Sequence, residues 1–427
     1  MRAADDGPSP RRDLALATWG LFVGLAFLLL AAGLFGTLLG VRSELIKLPT
    51  AVSSSISASY YVGFLVGSRL TLEALGRVGH IRVYAALASM LSAAMLAVGL
   101  TESAPAWAWL RFVTGLCLAG QYVVAESWLN DLATNQNRGR LLAIYALVTS
   151  GAFGIGQLLL FRMDARAITG FAIASIITSL AVAPVALSED AVAPSSRDRE
   201  HISLRDLAEV VPTGVGSCLL VGMAHGALTG MAAIYATRVG MSSGRIGLFV
   251  AAPNIGGMLL HWPVAATSDE IDRRAVGFAA SCTAIGAAVL LLLGPSTSPT
   301  ALLLVGVLGG FSYPLYSIAA AYTNDWIEPE HLNAAASQLV TLYGLGAVAG
   351  PFVAAGMMIV TGPKGFFWAA IILHGLIATF FLYRILAWRA PLAKRPWREV
   401  SLPARAFFVP ATLVHMGRRI RTRRRAA

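Results

Sequence analysis

Apolar stretches long enough to cross a bilayer recur along the chain, separated by short polar intervals. Taken in order they predict twelve α-helices. The first six fall near residues 14–40, 51–75, 83–100, 106–129, 141–161 and 167–187. The second six fall near 211–236, 246–266, 275–294, 301–322, 332–360 and 366–388. The longest polar interval, 188–209, carries SEDAVAPSSRDRE and lies between the sixth and seventh helices, where it reads as a linker. The pattern therefore predicts an all-α integral membrane protein. Its parts are a short N-terminus (1–13), an N-terminal six-helix bundle (14–187), a linker (188–210), a C-terminal six-helix bundle (211–388) and a basic tail (389–427).

The two halves carry matched punctuation, as an internal repeat would. GRVGHIR (76–82) follows the second helix and DEIDRR (269–274) follows the eighth. The fifth helix holds Gly151, Gly154 and Gly156, and the eleventh holds Gly344, Gly346, Gly350 and Pro351. A cavity between the halves is the expected binding site. Pro314, in YPLY, and Pro351 mark expected kinks around it.

Composition narrows the class. Of 427 residues, 56% are hydrophobic and 13% charged, and the mean hydropathy is +0.68, far short of the charge that a water-soluble surface carries. The net charge of +11 does not point to nucleic acid, because much of the excess is Arg418, Arg419, Arg421, Arg423, Arg424 and Arg425. A cytoplasmic tail facing anionic lipid accounts for it. An even number of spans places both termini on one side, and this tail, with Arg2, Arg11 and Arg12, predicts that side to be the cytoplasmic side of the cell inner (plasma) membrane. Arg69, Arg77, Arg82, Arg138, Arg140, Arg273 and Arg274 fall on the same side. Arg42, Lys47, Arg162, Arg166, Arg238 and Arg245 fall on the other and weaken the bias. Cys117, Cys218 and Cys282 sit apart in apolar runs and suggest neither a metal motif nor a disulfide framework. The run after Arg11-Arg12 is too long for a signal sequence and reads as a retained first span.

The basic loop after the second helix, its partner after the eighth, and Arg-x-x-x-Gly opening the fourth together resemble the major facilitator superfamily. The resemblance covers nearly the whole chain and implies two six-helix bundles that carry a small solute. The family's loop signature runs Gly-x-x-x-Asp-x-x-Gly-Arg-Arg, and residues 268–274, SDEIDRR, fit its later part. The first-half copy departs, with Gly76 where the aspartate would stand and His80 where the first arginine would. Arg111-Phe112-Val113-Thr114-Gly115 resembles the arginine motif that the family links with proton coupling. The antiporter motif of the fifth helix is present only in part: Gly151, Gly154 and Gly156 occur without its proline, and Gln157 follows. GHIR, AESWLN, NRGR and SDEIDRR together look like a bacterial branch without an assigned substrate.

Charges within a span are costly, about 3 kcal/mol each on insertion scales, and they usually mark a pathway. Arg111, Gly115, Leu118, Tyr122 and Glu126 fall within about 60° of one another on the fourth helix, with Arg111 and Glu126 roughly 22 Å apart. Arg111 reads as a substrate or coupling residue, or else as a snorkelling structural arginine. Glu126 reads as a gating carboxylate with Arg77, Arg82, Arg138 or Arg140 as partner, or else as a solvated helix end. Tyr122, Gln157, His225 and Tyr316 complete the substrate or coupling candidates. His225 can change charge near physiological pH or remain a buried neutral imidazole. His261 and His374 have weaker claims. His80, Asp269, Asp272, Arg273 and Arg274 join the gating set, unless they merely anchor loops. Ser53, Ser57, Tyr60 and Tyr61 could line the cavity or bond neighbouring helices. Gly115, Gly120, Gly154 and Gly156 read as close-packing positions.

No HExxH, Walker loop, CxxC or nucleophile elbow occurs, so the expectation is a non-enzyme with no cofactor or metal. The function expected is secondary active transport of a small solute by alternating access, with proton coupling and with export favoured over uptake. The alternative is a transport-inactive sensor or scaffold that uses the same fold.

Overall fold

The computed structural model describes residues 10–133, 137–188, 203–295, 297–328 and 331–387. The basic tail with its expected lipid contact, residues 1–9 and most of the linker lie outside these ranges, as does the side chain of Arg138.

The N-terminal half comprises α1 (Pro10–Leu45), α2 (Thr50–Val78), α3 (His80–Leu100), α4 (Ala104–Leu132), α5 (Arg138–Leu158), α6 (Thr169–Leu180) and α7 (Val182–Ala186). A short helix, α8 (Leu204–Val210), precedes the second half. That half comprises α9 (Pro212–Arg238), α10 (Ser243–Glu270), α11 (Arg273–Leu293), α12 (Pro299–Ser312), α13 (Pro314–Trp326), α14 (Leu332–Thr361) and α15 (Gly365–Ala387). With α6–α7 and α12–α13 each counted as one broken span, the spans among the described residues number twelve. The tenth span breaks where Pro314 opens α13, since proline cannot supply the amide that a continuous helix needs there. By contrast α14 continues through Pro351, and α10 through Pro253 and Pro263.

Among the described residues, eleven spans are long and apolar enough to cross a membrane by length and composition. The remaining one is α2, whose 29 residues include Ser53, Ser54, Ser55, Ser57, Ser59 and Ser68 as well as Arg69, Glu73 and Arg77. Several of these serines satisfy their hydroxyls on the preceding turn: Ser54 and Ser55 bond Ala51 O, at 2.8 and 2.9 Å, and Ser59 bonds Ser55 O at 2.8 Å. Side chains such as Leu259, Leu303, Val360 and Leu386 stay exposed on the outer surface, where lipid rather than water surrounds a membrane bundle.

The two halves pack by one plan. In the first half α1 lies on α5, α2 on α4 and α3 on α6; in the second, α9 lies on α14, α10 on α12 and α11 on α15. Small residues permit the close approaches. A Cβ on Gly115 would overlap the Tyr60 carbonyl oxygen, and one on Gly222 would overlap that of Tyr343. Gly120 and Gly156 are similarly crowded, by Leu87 and by the Leu30 carbonyl. Gly154 corrects the expectation of a packing glycine, because a Cβ there would meet nothing within 4 Å. The halves meet along α2–α14, α5–α10 and α1–α9. The ends of the spans that carry the linker form one face of the bundle, called here the linker face, and the opposite ends form the far face.

Candidate functional site

A cavity lies between the halves, with about 1040 Å³ of empty space that includes its opening to solvent. Small residues of α1 (Ala32, Gly33, Gly36 and Gly40) open the space, and α2 supplies Ser53, Ile56, Ser57, Tyr60 and Tyr61. Arg111 and Leu118 of α4 and Phe153 and Gln157 of α5 complete the N-terminal wall. The C-terminal wall is formed by Thr229, Gly230, Ala233 and Ile234 of α9, Val250 of α10, and Tyr313 and Tyr343. Of the polar residues of α2, Ser53, Ser57, Tyr60 and Tyr61 thus line the cavity, whereas Arg69, Glu73 and Arg77 lie outside it.

Arg111 stands two turns into α4, counted from the far face. Its guanidinium carbon lies 4.4 Å from the Tyr60 ring centroid and 5.5 Å from that of Phe35, which stabilises the cation by about 0.5–2 kcal/mol per ring. Gly36 lies beside it, where a Cβ would sit 3.7 Å from Nη2, in ordinary van der Waals contact. The expected face of α4 is divided in use: Arg111 and Leu118 reach the cavity, Gly115 is spent on packing against α2, and Tyr122 packs 6.2 Å from the Phe64 ring.

Polar contacts join the halves around this space. Ser57 Oγ donates to Gly230 O at 3.0 Å, and the hydroxyls of Tyr61 and Thr229 share a short hydrogen bond. Asn254 Nδ2 donates to Gln157 Oε1 at 2.7 Å, so Gln157 both lines the cavity and ties α5 to α10. At the far-face ends of α1 and α9, Arg238 Nε donates to Glu44 Oε2 at 3.0 Å and Arg238 Nη1 to Thr50 Oγ1 at 3.1 Å. Each of these contacts lies in the far-face half of the spans, so the cavity is closed over on that side. Glu44 and Arg238 were not singled out by sequence reasoning. The signal was present: opposite charges close the first spans of two repeated halves.

His225 and Tyr316 stand behind the cavity wall. His225 Nε2 lies 3.0 Å from Ser312 O, which can only accept, so that nitrogen carries the proton and Nδ1 accepts from the Tyr343 hydroxyl at 3.0 Å. The imidazole is therefore one hydrogen bond from a cavity-lining group. Behind it, His374 Nε2 meets Ser312 Oγ at 2.9 Å, and His261 Nε2 meets Ser317 Oγ at 3.0 Å. Tyr316 is fully buried against Tyr343, with ring centroids 5.2 Å apart.

The gating candidates gather on the linker face in two pseudo-equivalent clusters. His80 opens α3 as Arg273 opens α11. Arg273 Nε donates to Asp325 Oδ2 at 2.6 Å and Nη1 to Asp269 Oδ1 at 3.0 Å. His80 Nε2 lies 3.1 Å from Ser127 Oγ and 3.7 Å from Asp131 Oδ2, with its ring against Trp128. Asp131 and Asp325 close corresponding spans, and neither was anticipated, because sequence spacing alone does not show which span end a loop will reach. Arg274 pairs with Asp272 at 2.8 Å and also donates to Arg384 O at 2.7 Å. Glu126 accepts from the Tyr145 hydroxyl of α5 at 3.2 Å. Arg77, Arg82 and Arg140 are exposed and form no ion pair among the described residues. The described residues also contain no group of three or more His, Cys, Asp or Glu that could hold a metal ion.

The sequence profile of the Major Facilitator Superfamily matches residues 214–425. A curated relative from Salmonella arizonae, described as an uncharacterized MFS-type transporter, YcaD, is 31% identical over 346 residues, covering 79% of this chain and 88% of the relative. The crystal structure of the nucleoside transporter NupG superposes with a TM-score of 0.69 at 12% identity, covering 87% of this chain and 98% of that one. A bacterial homologue of the human lysosomal transporter Spinster, in an inward-facing and occupied conformation, gives 0.69 at 15% identity, covering 93% and 100%. At such identities these two likenesses are of fold.

Proposed function

Because the chain belongs to the major facilitator superfamily, we propose that it is a secondary active transporter that moves a small solute by alternating access between its two six-helix bundles. The observation that carries this reading is a cavity walled by both bundles and closed over on one side by a cross-bundle pair, Glu44–Arg238. A contact made in one arrangement and lost in the other is what a two-state carrier requires, since only differential interactions shift its populations. The names of the curated relatives support transport in general.

The arginine-bearing linker face is assigned to the cytoplasm, so this structure is the outward-closed state. His225 is proposed to carry the coupled proton, being an imidazole one hydrogen bond from the cavity through Tyr343. Export is the proposed direction, on the partial antiporter run of Gly151, Gly154 and Gly156 in α5.

Reconstitution into vesicles with a pH-sensitive dye tests these points together. Solute flux is expected, accompanied by proton movement that His225→Gln abolishes. No flux from any of a broad solute panel, with Arg111→Ala behaving like the parent, would refute transport and leave the sensor or scaffold reading.

A further inference from the structure

Arg111 differs from the other arginines held inside the bundle. Arg238 is paired with Glu44, Arg273 with Asp325 and Asp269, Arg274 with Asp272, and Arg384 Nε donates to Thr213 Oγ1 at 2.7 Å. Among the described residues, the Arg111 guanidinium makes no ion pair and donates no hydrogen bond. Its contacts are the ring faces of Tyr60 and Phe35, which hold the cation but leave its five N–H donors unused. The fork faces the cavity.

The rest of the cavity wall is neutral. Among the described lining residues there is no Asp, Glu, Lys or His beside Arg111. Ser53 lines the cavity and its Oγ is buried without a hydrogen-bond partner, and the Tyr60 hydroxyl makes none among the described residues. Most of the remaining wall is apolar, with Leu39, Ile56, Leu118, Phe153, Ile234 and Val250 contributing the larger side chains.

Resting on the transporter reading, we propose that the solute is a small organic monoanion: a carboxylate on a largely apolar body, gripped bidentately by Arg111 with Ser53 and Tyr60 as hydroxyl partners. A planar guanidinium fork matches a carboxylate, and charge-assisted pairs of that kind combine strength with orientation. A cation would be repelled by Arg111, and a neutral solute would leave the cavity-facing guanidinium without a counter-charge. A dianion would bring one charge that no group on the wall balances. The anion-loaded cavity is then electrically neutral, and the empty carrier returns with the Arg111 charge and the proton proposed for His225. An inside-negative potential draws the empty carrier toward the cytoplasm, so each cycle is biased to move the anion outward.

The test uses the full-length protein in nanodiscs and matched triads that differ in one group: benzoate, phenylacetate and octanoate, each with its carboxamide and its amine. Binding is read by thermal stabilisation, with chloride, phosphate and phthalate as separate arms. Carboxylates are expected to bind at least tenfold tighter than their amides, the scale of one charge-assisted hydrogen bond. That preference should collapse in Arg111→Gln and survive partly in Arg111→Lys, which keeps the charge and loses the fork. Should Arg111→Gln not fold, Ser53→Ala and Tyr60→Phe serve in its place, each expected to weaken carboxylates more than amides. Equal binding of amides or amines, a preference that survives these substitutions, stabilisation by inorganic anions alone, or no stabilisation by any carboxylate overturns the inference. Vesicle flux keeps the two levels apart. Transport of neutral or cationic solutes only would sink the anion and spare the transporter, whereas absence of all flux would sink the transporter itself.

Discussion

Arg238, at the end of α9, forms a two-pronged ion pair with Glu44, at the end of α1, with N–O distances of 3.0 and 2.5 Å. Both side chains are mostly shielded, at 24% and 12% relative exposure, so the pair is less screened than a surface bridge. It joins the first spans of the two halves over the roof of the cavity. Glu44→Gln should therefore favour opening of the far face, and the exchanged pair Glu44→Arg with Arg238→Glu should restore closure. Reactivity of a cysteine placed at Ser53, in a Cys282→Ser background that removes the exposed native thiol, reads this directly. Unchanged reactivity in Glu44→Gln would show that the pair does not hold the roof.

On the linker face, Glu126 accepts from Tyr145 at 3.2 Å, tying α4 to α5 within one half. Glu126→Gln is expected to slow transport several-fold while membrane insertion stays at the parental level. Tyr145→Phe, which removes one donor and keeps the charge, should slow it less. Cysteine accessibility at the linker-face mouth identical to the parent in both variants would rule out gating by this carboxylate.

Arg273 and His80 occupy corresponding helix starts with unequal partners. Arg273 and Asp325 are buried to within 4% and 2% of full enclosure, and removing one member of such a pair costs about 3–5 kcal/mol. His80 stands 3.7 Å from Asp131, whose side chain is 38% exposed. Arg273→Ala should therefore lower the thermal midpoint of the purified protein clearly more than His80→Ala does. Equal losses would mean that packing, rather than the ion pair, sets stability at this face.

Two glycines offer a matched comparison. Alanine at Gly115 forces its methyl group into the Tyr60 carbonyl and spreads α2 from α4, so Gly115→Ala should destabilise the protein and displace Tyr60 from Arg111. Alanine at Gly154 meets open space and removes a flexible residue from a helix, so Gly154→Ala should be neutral or slightly stabilising. Thermal unfolding of the two variants in one detergent measures the difference.

Helix number and the division into halves were legible in the chain, because a bilayer imposes one length and one chemistry on every span, and these repeat in linear order. The intramembrane arginine and glutamate were equally visible, since charge is conspicuous in an apolar run. The use of Arg111 was not: whether an intramembrane arginine is tied down or faces a void depends on residues such as Phe35 and Tyr60, which only packing assembles. Nor could spacing pair Glu44 with Arg238, or place Asp131 and Asp325 opposite His80 and Arg273, because these contacts are set by helix rotation and by the approach of separate spans. The sequence by itself determined that this is a two-bundle membrane protein with costly charges inside. The tertiary structure decided which of those charges are spent on holding helices together and which one is left facing the cavity, because compensation of a charge is a property of neighbours in space.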